Sequence, residues 1–216
     1  MGGIVLKLKK MKVGKGRYGY APCKRAFDFL AAAIFLLVLA PLFFCIAFAI
    51  RVSSPGPVFF CQVRMGRSLE PFLLYKFRTM TVSAPRDCAT AELCEPARYI
   101  TRIGAFLRKT SLDELPQLYN ILRGEMSFLG PRPVVLGEEE LILRRLFCGA
   151  YRVRPGMSGL SQVRGRDLLS CEDKAALDGK YAERLSLALD LFLVFSTAFA
   201  VLARRHIREG RLGESH

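Results

Sequence analysis

An uncharged apolar run from Phe29 to Ile50 constrains the fold of this chain more than any other feature of its sequence. At ~20 residues the run is long enough to cross a bilayer as one helix. Pro41 lies in its middle, where a proline removes a helix hydrogen bond and clashes with the preceding turn. The run therefore predicts a helix that is broken at Pro41.

Basic residues flank this run on both sides: Lys24 and Arg25 precede it, and Arg51 and Arg64 follow it. The positive-inside bias therefore favours neither orientation. Two structures satisfy the pattern, a re-entrant helix–break–helix that returns to the side it entered from and a kinked single-pass helix. A buried helix of a soluble protein fits less well, because the run is long and lacks polar residues. On the residues alone the topology stays open.

The charge balance indicates what the chain binds. The net charge is +14, although 51% of the 216 residues are hydrophobic. This combination favours anionic membrane lipid and phosphorylated substrates as partners and predicts no nucleic-acid partner. The seven cysteines contain no C-x-x-C pair and there are only two histidines, which argues against a disulfide framework or a zinc site. We expect a reduced, cytosolic active domain without a cleavable signal peptide.

A second apolar stretch, from Leu185 to Ala203, is interrupted by Asp190 and is followed by two arginines. A charge near the middle of such a stretch disfavours spanning a bilayer. We expect this segment to pack against the globular core or to lie at the membrane interface.

Between the two apolar stretches, the sequence predicts a β-hairpin. The segments Val58–Val63 and Phe72–Phe77 are rich in β-branched and aromatic residues, and a basic, turn-prone loop joins them. Lys76 and Arg78 belong to the second strand, where they would either bind an anion or form a solvated strand edge. With the helices around it, the hairpin indicates an α+β fold that is mainly helical.

An amphipathic helix is expected to begin near Tyr99. Its predicted inner residues are Ile103, Phe106 and Leu107, and its predicted outer residues are Arg102, Arg108 and Lys109.

The stretch that follows carries two adjacent acids, Asp113 and Glu114. Ser111 and Glu114 match a capping box, whereas Pro116 favours a helix start nearer Asp113. Either alternative puts Asp113 at a helix N-terminus, where free N–H groups favour an anion. Adjacent acids at a helix start are often no more than caps.

Arginines in rigid loops surround these acids and shift the interpretation towards a phosphate site, because an arginine fork matches phosphate oxygens. Adjacent acids among arginines also suit Mg²⁺ together with a diphosphate. The surrounding residues are Arg108, Arg123, Gly124, Gly130–Pro131–Arg132–Pro133 and Arg154–Pro155–Gly156.

Taken together, these motifs resemble the bacterial sugar transferase family, specifically its small monotopic phosphoglycosyl transferases. The similarity runs from about Lys24 to Leu193, and the order and spacing of four blocks make it specific. The blocks are Lys24-Arg25-x-Phe27-Asp28, Ser54-Pro55-Gly56-Pro57 through Lys76-Phe77-Arg78-Thr79-Met80, Ser111 to Gln117 through Gly130-Pro131-Arg132-Pro133, and Arg154 to Gly159 with Gln162-Val163-x-Gly165-Arg166.

The resemblance implies a role for each matching residue. Asp113 would attack the sugar-bearing phosphate of a UDP-sugar, release UMP and form a covalent intermediate that polyprenyl phosphate then attacks. Glu114 would support catalysis, and both acids would bind Mg²⁺. Phosphate or substrate binding would fall to Arg108, Arg132, Lys76, Arg78, Gln162 and, as a weaker candidate, Arg166.

The resemblance also implies a location. The helix broken at Pro41 would be a re-entrant anchor in the bacterial inner membrane, with catalysis on the cytoplasmic face at the start of membrane-bound glycan assembly. The chain would comprise a basic N-terminus (1–23), the anchor (24–51), a catalytic domain (52–205) and a polar tail (206–216).

Three positions depart from the family pattern: Ala40 replaces a common serine before the proline, and Leu160 and Arg164 replace an aromatic residue and an asparagine. The resemblance implies that the last two lie in the region that selects the sugar, so the sequence does not predict which sugar is carried. Two other functions are kept open, a glycosyltransferase that releases UDP and a non-catalytic membrane scaffold. A homodimer is also left open.

Overall fold

The computed structural model describes residues 19–84, 96–165 and 168–202. Residues 1–18 of the predicted basic N-terminus, residues 85–95, Arg166 and the predicted tail lie outside them. The helices are α1 (Ala21–Val38), α2 (Ala40–Ser53), α3 (Pro96–Tyr99), α4 (Arg102–Thr110), α5 (Gln117–Arg123), α6 (Glu139–Phe147), α7 (Leu160–Arg164), α8 (Cys171–Glu183) and α9 (Leu187–Leu202). The strands are β1 (Phe59–Met65), β2 (Pro71–Phe77), β3 (Ser127–Leu129), β4 (Val134–Val135) and β5 (Gly156–Ser158). The predicted mainly helical α+β class is confirmed.

The first two helices are one apolar segment bent by 62°. The break lies at Leu39, two residues ahead of the predicted Pro41, because Pro41 occupies the first turn of α2, where its missing N–H costs nothing. No single helix in the described ranges is long and apolar enough to span a membrane, whereas α1 and α2 together meet that length and composition.

This helix pair is amphipathic in its packing. Ala32 of α1 is fully buried against α5, and Ile46 and Ile50 of α2 pack against Phe77 and Leu107. The opposite side leaves large apolar side chains exposed, among them Phe27, Leu37, Phe44, Phe48 and Val52. The burial of one side fixes the pair to the rest of the fold.

The predicted hairpin is confirmed. Strands β1 and β2 are antiparallel with Phe59 opposite Phe77 and Met65 opposite Pro71. Strand β4 pairs with the C-terminal end of β1, at Arg64 and Met65, and the strand order is β2-β1-β4. The turn between β1 and β2 includes a 3-10 turn, Arg67–Leu69.

A second sheet, which the sequence did not predict, joins β3 and β5 in parallel. The two strands meet where the chain has no side chain: a Cβ on Gly156 would come within 2.1 Å of the backbone nitrogen of Gly130. Only glycine permits this approach. The contact fixes the position of the loop that follows β3 and contains Arg132.

The predicted inner and outer residues of α4 are confirmed only in part. Leu107 is buried and Ile103 is half-buried, but Phe106 is 57% exposed, so its inward prediction is wrong. Gly104 contacts the backbone of Thr79, since a Cβ there would lie 1.9 Å from that carbonyl oxygen. This close approach turns the side of α4 that carries Gly104 and Arg108 towards the core, and Arg108, predicted to point outwards, is half-buried.

Helix α9 packs against the core, as predicted for the second apolar stretch. Asp190 is buried, forms an ion pair with Lys24 at 2.8 Å and accepts a hydrogen bond from the hydroxyl of Tyr181 at 2.8 Å. The other side of α9 exposes Phe195 and Phe199. The ion pair fastens α9 to the first turn of α1.

Candidate functional site

The two adjacent acids lie in a 3-10 turn, Leu112–Glu114, between α4 and α5. The prediction that Asp113 stands at a helix N-terminus is wrong in detail. Ser111 ends α4 in the left-handed region, at φ 57°, and its side chain caps nothing. Pro116 directly precedes α5, so the helix begins only after it. The acids are held by a turn of their own, closed by the Glu114 N–H donating to the carbonyl of Ser111 at 3.2 Å.

Glu114 is clamped by two cations. Lys76 at the end of β2 donates to its Oε1 at 2.8 Å, and Arg132 donates to the same oxygen at 2.9 Å. Burial would raise the pKa of Glu114, but the charges of Arg132 and Lys76 outweigh burial and hold that pKa well below its ordinary range. Glu114 is therefore a fixed anion in this site.

Asp113 has a different environment. Its Oδ2 lies 3.9 Å from Lys76 Nζ, beyond hydrogen-bond distance, and its side chain is 13% exposed. Burial raises the pKa of Asp113 most, Lys76 opposes that effect and the negative charge of Glu114 adds to it. Asp113 is thus the less engaged of the two carboxylates, which leaves its oxygens available to a ligand.

Arg108 stands beside the acids without bonding to them in this structure. Its Nε donates to the hydroxyl of Thr79 at 2.8 Å, and its charge lowers the pKa of Asp113. The two terminal nitrogens of its guanidinium fork have donors to offer to an anion. Thr79 itself is held by Thr101, the residue that caps the start of α4, because the carbonyl of Thr79 accepts from the N–H of Thr101.

Arg132 is positioned through its backbone. Arg145 on α6 donates to the Arg132 carbonyl at 2.6 Å and pairs with Asp178 on α8 at 2.5 Å. Both partners of that pair are almost completely buried, and Asp178 also accepts from the hydroxyl of Ser161 at 2.8 Å. A chain of polar contacts therefore runs from α8 through α6 to the arginine that clamps Glu114.

The site is therefore an acid pair surrounded by cationic side chains. Comparison with known proteins identifies the family to which a chain with this site belongs. The sequence model of the family described as "Bacterial sugar transferase" matches residues 19–204. The chain belongs to the bacterial sugar transferase family.

Several relatives within this family are similar over most of the chain. "Exopolysaccharide production protein ExoY" of Rhizobium meliloti (strain 1021) is 42% identical over 197 residues, covering 84% of this chain and 86% of that protein. "Uncharacterized sugar transferase EpsL" of Bacillus subtilis (strain 168) is 41% identical, covering 86% of this chain and 90% of that protein. "UDP-glucose:undecaprenyl-phosphate glucose-1-phosphate transferase" of Escherichia coli (strain K12) is 39% identical, covering 82% of this chain but only 39% of that protein.

Of the residues singled out from the bacterial sugar transferase motifs, Asp113, Glu114, Lys76, Arg132 and Arg108 come together. Arg78 and Gln162 are engaged elsewhere, and Arg166 lies outside the described residues. The Arg78 fork donates to the carbonyls of Ser54 and Pro55 at 2.7 and 2.8 Å, so it holds the turn that follows α2. Gln162 donates to the Met157 carbonyl at 3.4 Å.

Arg64 is a site neighbour that the sequence did not reveal. It lies on β1, donates to Gln62 at 2.6 Å, and has a buried Nε with no hydrogen-bond partner among the described residues. Burial, with the charge of Arg132 as the next cause, lowers the pKa of Arg64 to about 10. The only available signal was its place in the β1 alternation, because its nearness to Arg132 depends on a loop far along the chain.

The described residues contain no cluster of three or more His, Cys, Asp or Glu side chains that would hold a metal ion by themselves. The two adjacent carboxylates do fit the way Mg²⁺ is commonly bound, through one or two carboxylates completed by substrate phosphates and water. Both are hard oxygen donors, and Asp113 in particular has no close cation bond to displace.

Proposed function

We propose that this chain is a phosphoglycosyl transferase that moves a sugar-1-phosphate from a UDP-sugar to undecaprenyl, or another polyprenyl, phosphate. The observation that carries the proposal is the asymmetry of the acid pair. Glu114 is neutralised by Lys76 and Arg132, whereas Asp113 stays near those cations without a close bond to them. One acid is thus suited to shaping the site and the other to attacking a phosphate.

The proposed chemistry has two displacements at the same phosphorus. A carboxylate oxygen of Asp113 forms a bond to the phosphorus that bears the sugar, and the bond from that phosphorus to the bridging oxygen breaks, so UMP departs with the electron pair. A phosphate oxygen of polyprenyl phosphate then bonds to the same phosphorus, and the carboxylate of Asp113 leaves. The product is a polyprenyl diphosphate sugar, and Asp113 is regenerated as a carboxylate.

The cations make the first displacement feasible. A diphosphate repels a carboxylate, and positive groups fixed at the site offset that repulsion and stabilise the charge on the transferred phosphoryl group. Arg108 supplies a guanidinium held by Thr79, and Arg132 supplies one held by its backbone. Mg²⁺ bound by Asp113 and Glu114 would add Lewis-acid stabilisation of the phosphates.

The bent helix pair supports the proposed place of action, the cytoplasmic face of the bacterial inner membrane. The exposed side of α1 and α2 is apolar, and their outer ends carry Lys24, Arg25 and Arg51. Ends that are both basic suit a pair that enters one leaflet and returns to the negatively charged cytoplasmic surface. Such an anchor keeps the acid pair near the depth of lipid headgroups, where the phosphate of the acceptor lies.

The names of two kinds of relative support the substrate class and the role. One kind names UDP-glucose, undecaprenyl phosphate and glucose-1-phosphate transfer, and the other names exopolysaccharide production. We therefore propose that the chain starts a membrane-bound glycan of the exopolysaccharide type.

Nucleotide release tests this proposal. Protein held in nanodiscs is given Mg²⁺, undecaprenyl phosphate and a panel of UDP-sugars, and UMP and UDP are measured separately. We expect UMP from at least one sugar, lost on chelation and lost in Asp113→Asn. Without acceptor, label from the sugar-bearing phosphate should stay on the protein and be released by hydroxylamine, as expected for an acyl phosphate.

The matched control is Asp173→Asn, the same chemical change at an exposed position of α8. This variant should keep its turnover. UDP instead of UMP would replace the proposal with a glycosyltransferase. Undiminished turnover in a folded Asp113→Asn protein would remove Asp113 as the nucleophile.

A further inference from the structure

A second group of basic side chains lies away from the acid pair, at the C-terminal end of α5. It lines a cavity of about 40 Å³. This volume holds roughly three water-sized groups, which suits the outward oxygens of a single phosphate. We call this cavity the basic pocket and define it by the charged residues among its lining, which are Lys24, Arg25, Arg67, Arg152, Arg154 and Asp28.

Two of these arginines have a structural explanation. Arg25 donates to the carbonyls of Ile121 and Leu122 at 2.6 and 2.9 Å, and Arg154 donates through Nε to the carbonyl of Gly124 at 2.8 Å. These carbonyls end α5 and carry its negative partial charge, so cations are expected there. The caps use one nitrogen of Arg154 and leave its two terminal nitrogens as donors.

Arg67 and Arg152 have no such explanation. Both line the basic pocket and are exposed, and neither side chain makes a hydrogen bond or an ion pair within the described parts of the chain. Burial, then the charge of Arg67 and then that of Arg25, lowers the pKa of Arg154, whereas Asp28 opposes this effect, and all four residues line the basic pocket. A group of arginines that repel each other is stabilised when an anion binds between them.

The carboxylates nearby do not supply that anion. Asp190 pairs with Lys24 at 2.8 Å, and Asp28 lies 3.9 Å from the same ammonium group while accepting from the N–H of Phe128 at 3.4 Å. Lys24 is therefore neutralised by Asp190 and Asp28, and the charge of Asp28 also raises the pKa of Arg154. Neither Arg67 nor Arg152 forms an ion pair with an acid of the described residues.

The β1–β2 turn holds Arg67 in place by an unusual backbone. Ser68 and Leu69 both have positive φ, at 57° and 62°, although neither is a glycine. Such a conformation costs free energy and persists only when the surroundings enforce it. Here the burial of Leu69 against Tyr151 and Met65 enforces it, and Arg67 is held beside the turn that carries Arg152.

We propose that the basic pocket is a second phosphate-binding site, distinct from the acid pair. The two lie at opposite ends of α5, which has seven residues and so is about 10 Å long. The apolar side chains that follow the pocket along α1 are exposed, namely Phe27, Phe29 and Leu30. A phosphate that carries an acyl chain could lie with its head in the pocket and its chain along α1, so an anionic lipid is the favoured source and free phosphate the other. Only the choice of a lipid rests on the proposed membrane location.

The experiment compares two variants of equal charge. Arg67→Gln/Arg152→Gln removes the unexplained arginines, and Arg102→Gln/Arg184→Gln removes two exposed arginines elsewhere, so each lowers the net charge from +14 to +12. Detergent-held protein is titrated in a calorimeter with inorganic phosphate, short-chain phosphatidylglycerol and short-chain phosphatidylcholine. We expect phosphatidylglycerol to bind the control variant like the unchanged protein and to bind the Arg67/Arg152 variant at least about tenfold more weakly, since arginine–phosphate contacts are among the stronger hydrogen bonds.

The source of the phosphate follows from the same titrations. Tighter binding of phosphatidylglycerol than of inorganic phosphate identifies a lipid site, and equal affinity for both identifies a site for free phosphate. Arg67→Lys/Arg152→Lys, which keeps the charge, should recover part of the affinity. Equal affinities of the glutamine variant and its control for both phosphates would overturn the proposal. Because UMP release is measured separately and should persist in every variant, failure here is distinguishable from failure of the proposed transferase activity.

Discussion

The buried pair of Arg145 and Asp178 can be altered so that stability and turnover respond differently. The two charged groups are 2.5 Å apart, with side chains 4% and 0% exposed. Arg145 also donates to the carbonyl of Arg132, which clamps Glu114. The pair therefore contributes both to the packing of α6 against α8 and to the position of an arginine in the site.

Asp178→Asn leaves the guanidinium of Arg145 buried without a counter-charge. Breaking a buried pair in this way costs about 3–5 kcal/mol of the free energy of unfolding, a large share of the ~5–15 kcal/mol typical of a whole domain. Arg145→Met/Asp178→Leu removes both charges and their desolvation cost together. Its loss should be smaller, about 2 kcal/mol, because the hydroxyl of Ser161 loses its acceptor and the carbonyl of Arg132 loses its donor.

For turnover, the order of the two variants should be reversed, so that the more stable double variant has the lower rate. In the double variant the carbonyl of Arg132 still lacks its donor, and a displacement of about 1 Å in a site residue can cost ~100-fold in rate. Denaturant unfolding followed by circular dichroism gives the stability, and UMP release gives the turnover. Arg144→Met, on the exposed neighbour whose side chain is 42% accessible, is the control and should change neither by much. A double variant with unchanged turnover would refute the positioning role, and an Asp178→Asn protein as stable as the control would refute the energetic argument.

Three further outcomes follow from other parts of the molecule. Burial raises the pKa of Asp113, and the proposed nucleophile must be ionised to attack. We therefore expect kcat/KM to fall as the pH falls, with the midpoint of that decrease above the ordinary aspartate pKa of 3.8. A midpoint at or below 3.8 would contradict this. Gly56 has φ 115°, and a Cβ there would lie 2.2 Å from the guanidinium of Arg78, which holds the turn. Gly56→Ala should therefore lower the free energy of unfolding by about 1–3 kcal/mol, whereas Gly137→Ala, whose Cβ would have nothing within 4 Å, should change it little. In otherwise cysteine-free chains, Cys23 alone and Val52→Cys alone should both react with an impermeant maleimide from the cytoplasmic side, and reaction from opposite sides would establish a single-pass helix.

Local patterns in the sequence predicted the elements well. Two segments rich in β-branched and aromatic residues, joined by a turn-prone loop, predicted the β1–β2 hairpin, and Pro41 predicted the bend between α1 and α2. Both signals depend on neighbours in the chain, where period and proline geometry act directly. The same local reasoning failed for Asp113, because the capping pattern does not show that Ser111 ends the preceding helix in a left-handed conformation.

The rest of the site depends on contacts between distant segments. Lys76 lies on β2 and Arg78 directly follows that strand, yet Arg78 holds a backbone turn whereas Lys76 clamps Glu114. In the sequence, Arg25 is a basic residue next to an apolar run, although its side chain caps the end of a helix 96 residues away. Burial and partner choice decide such roles, and a single sequence records neither.

The bond between the first turn of α1 and Asp190 also has a consequence for the order of events during synthesis. Tyr20 and Asp190, which share a hydrogen bond, are 170 residues apart. At a ribosomal rate of roughly 5–20 residues per second, the N-terminal helices exist for roughly 10–30 s before α9 emerges. Throughout that interval the ammonium of Lys24 has not yet met Asp190, the partner that neutralises it at 2.8 Å in the finished protein. Among the described helices, the apolar pair is therefore made before the others and, through this bond, completed last.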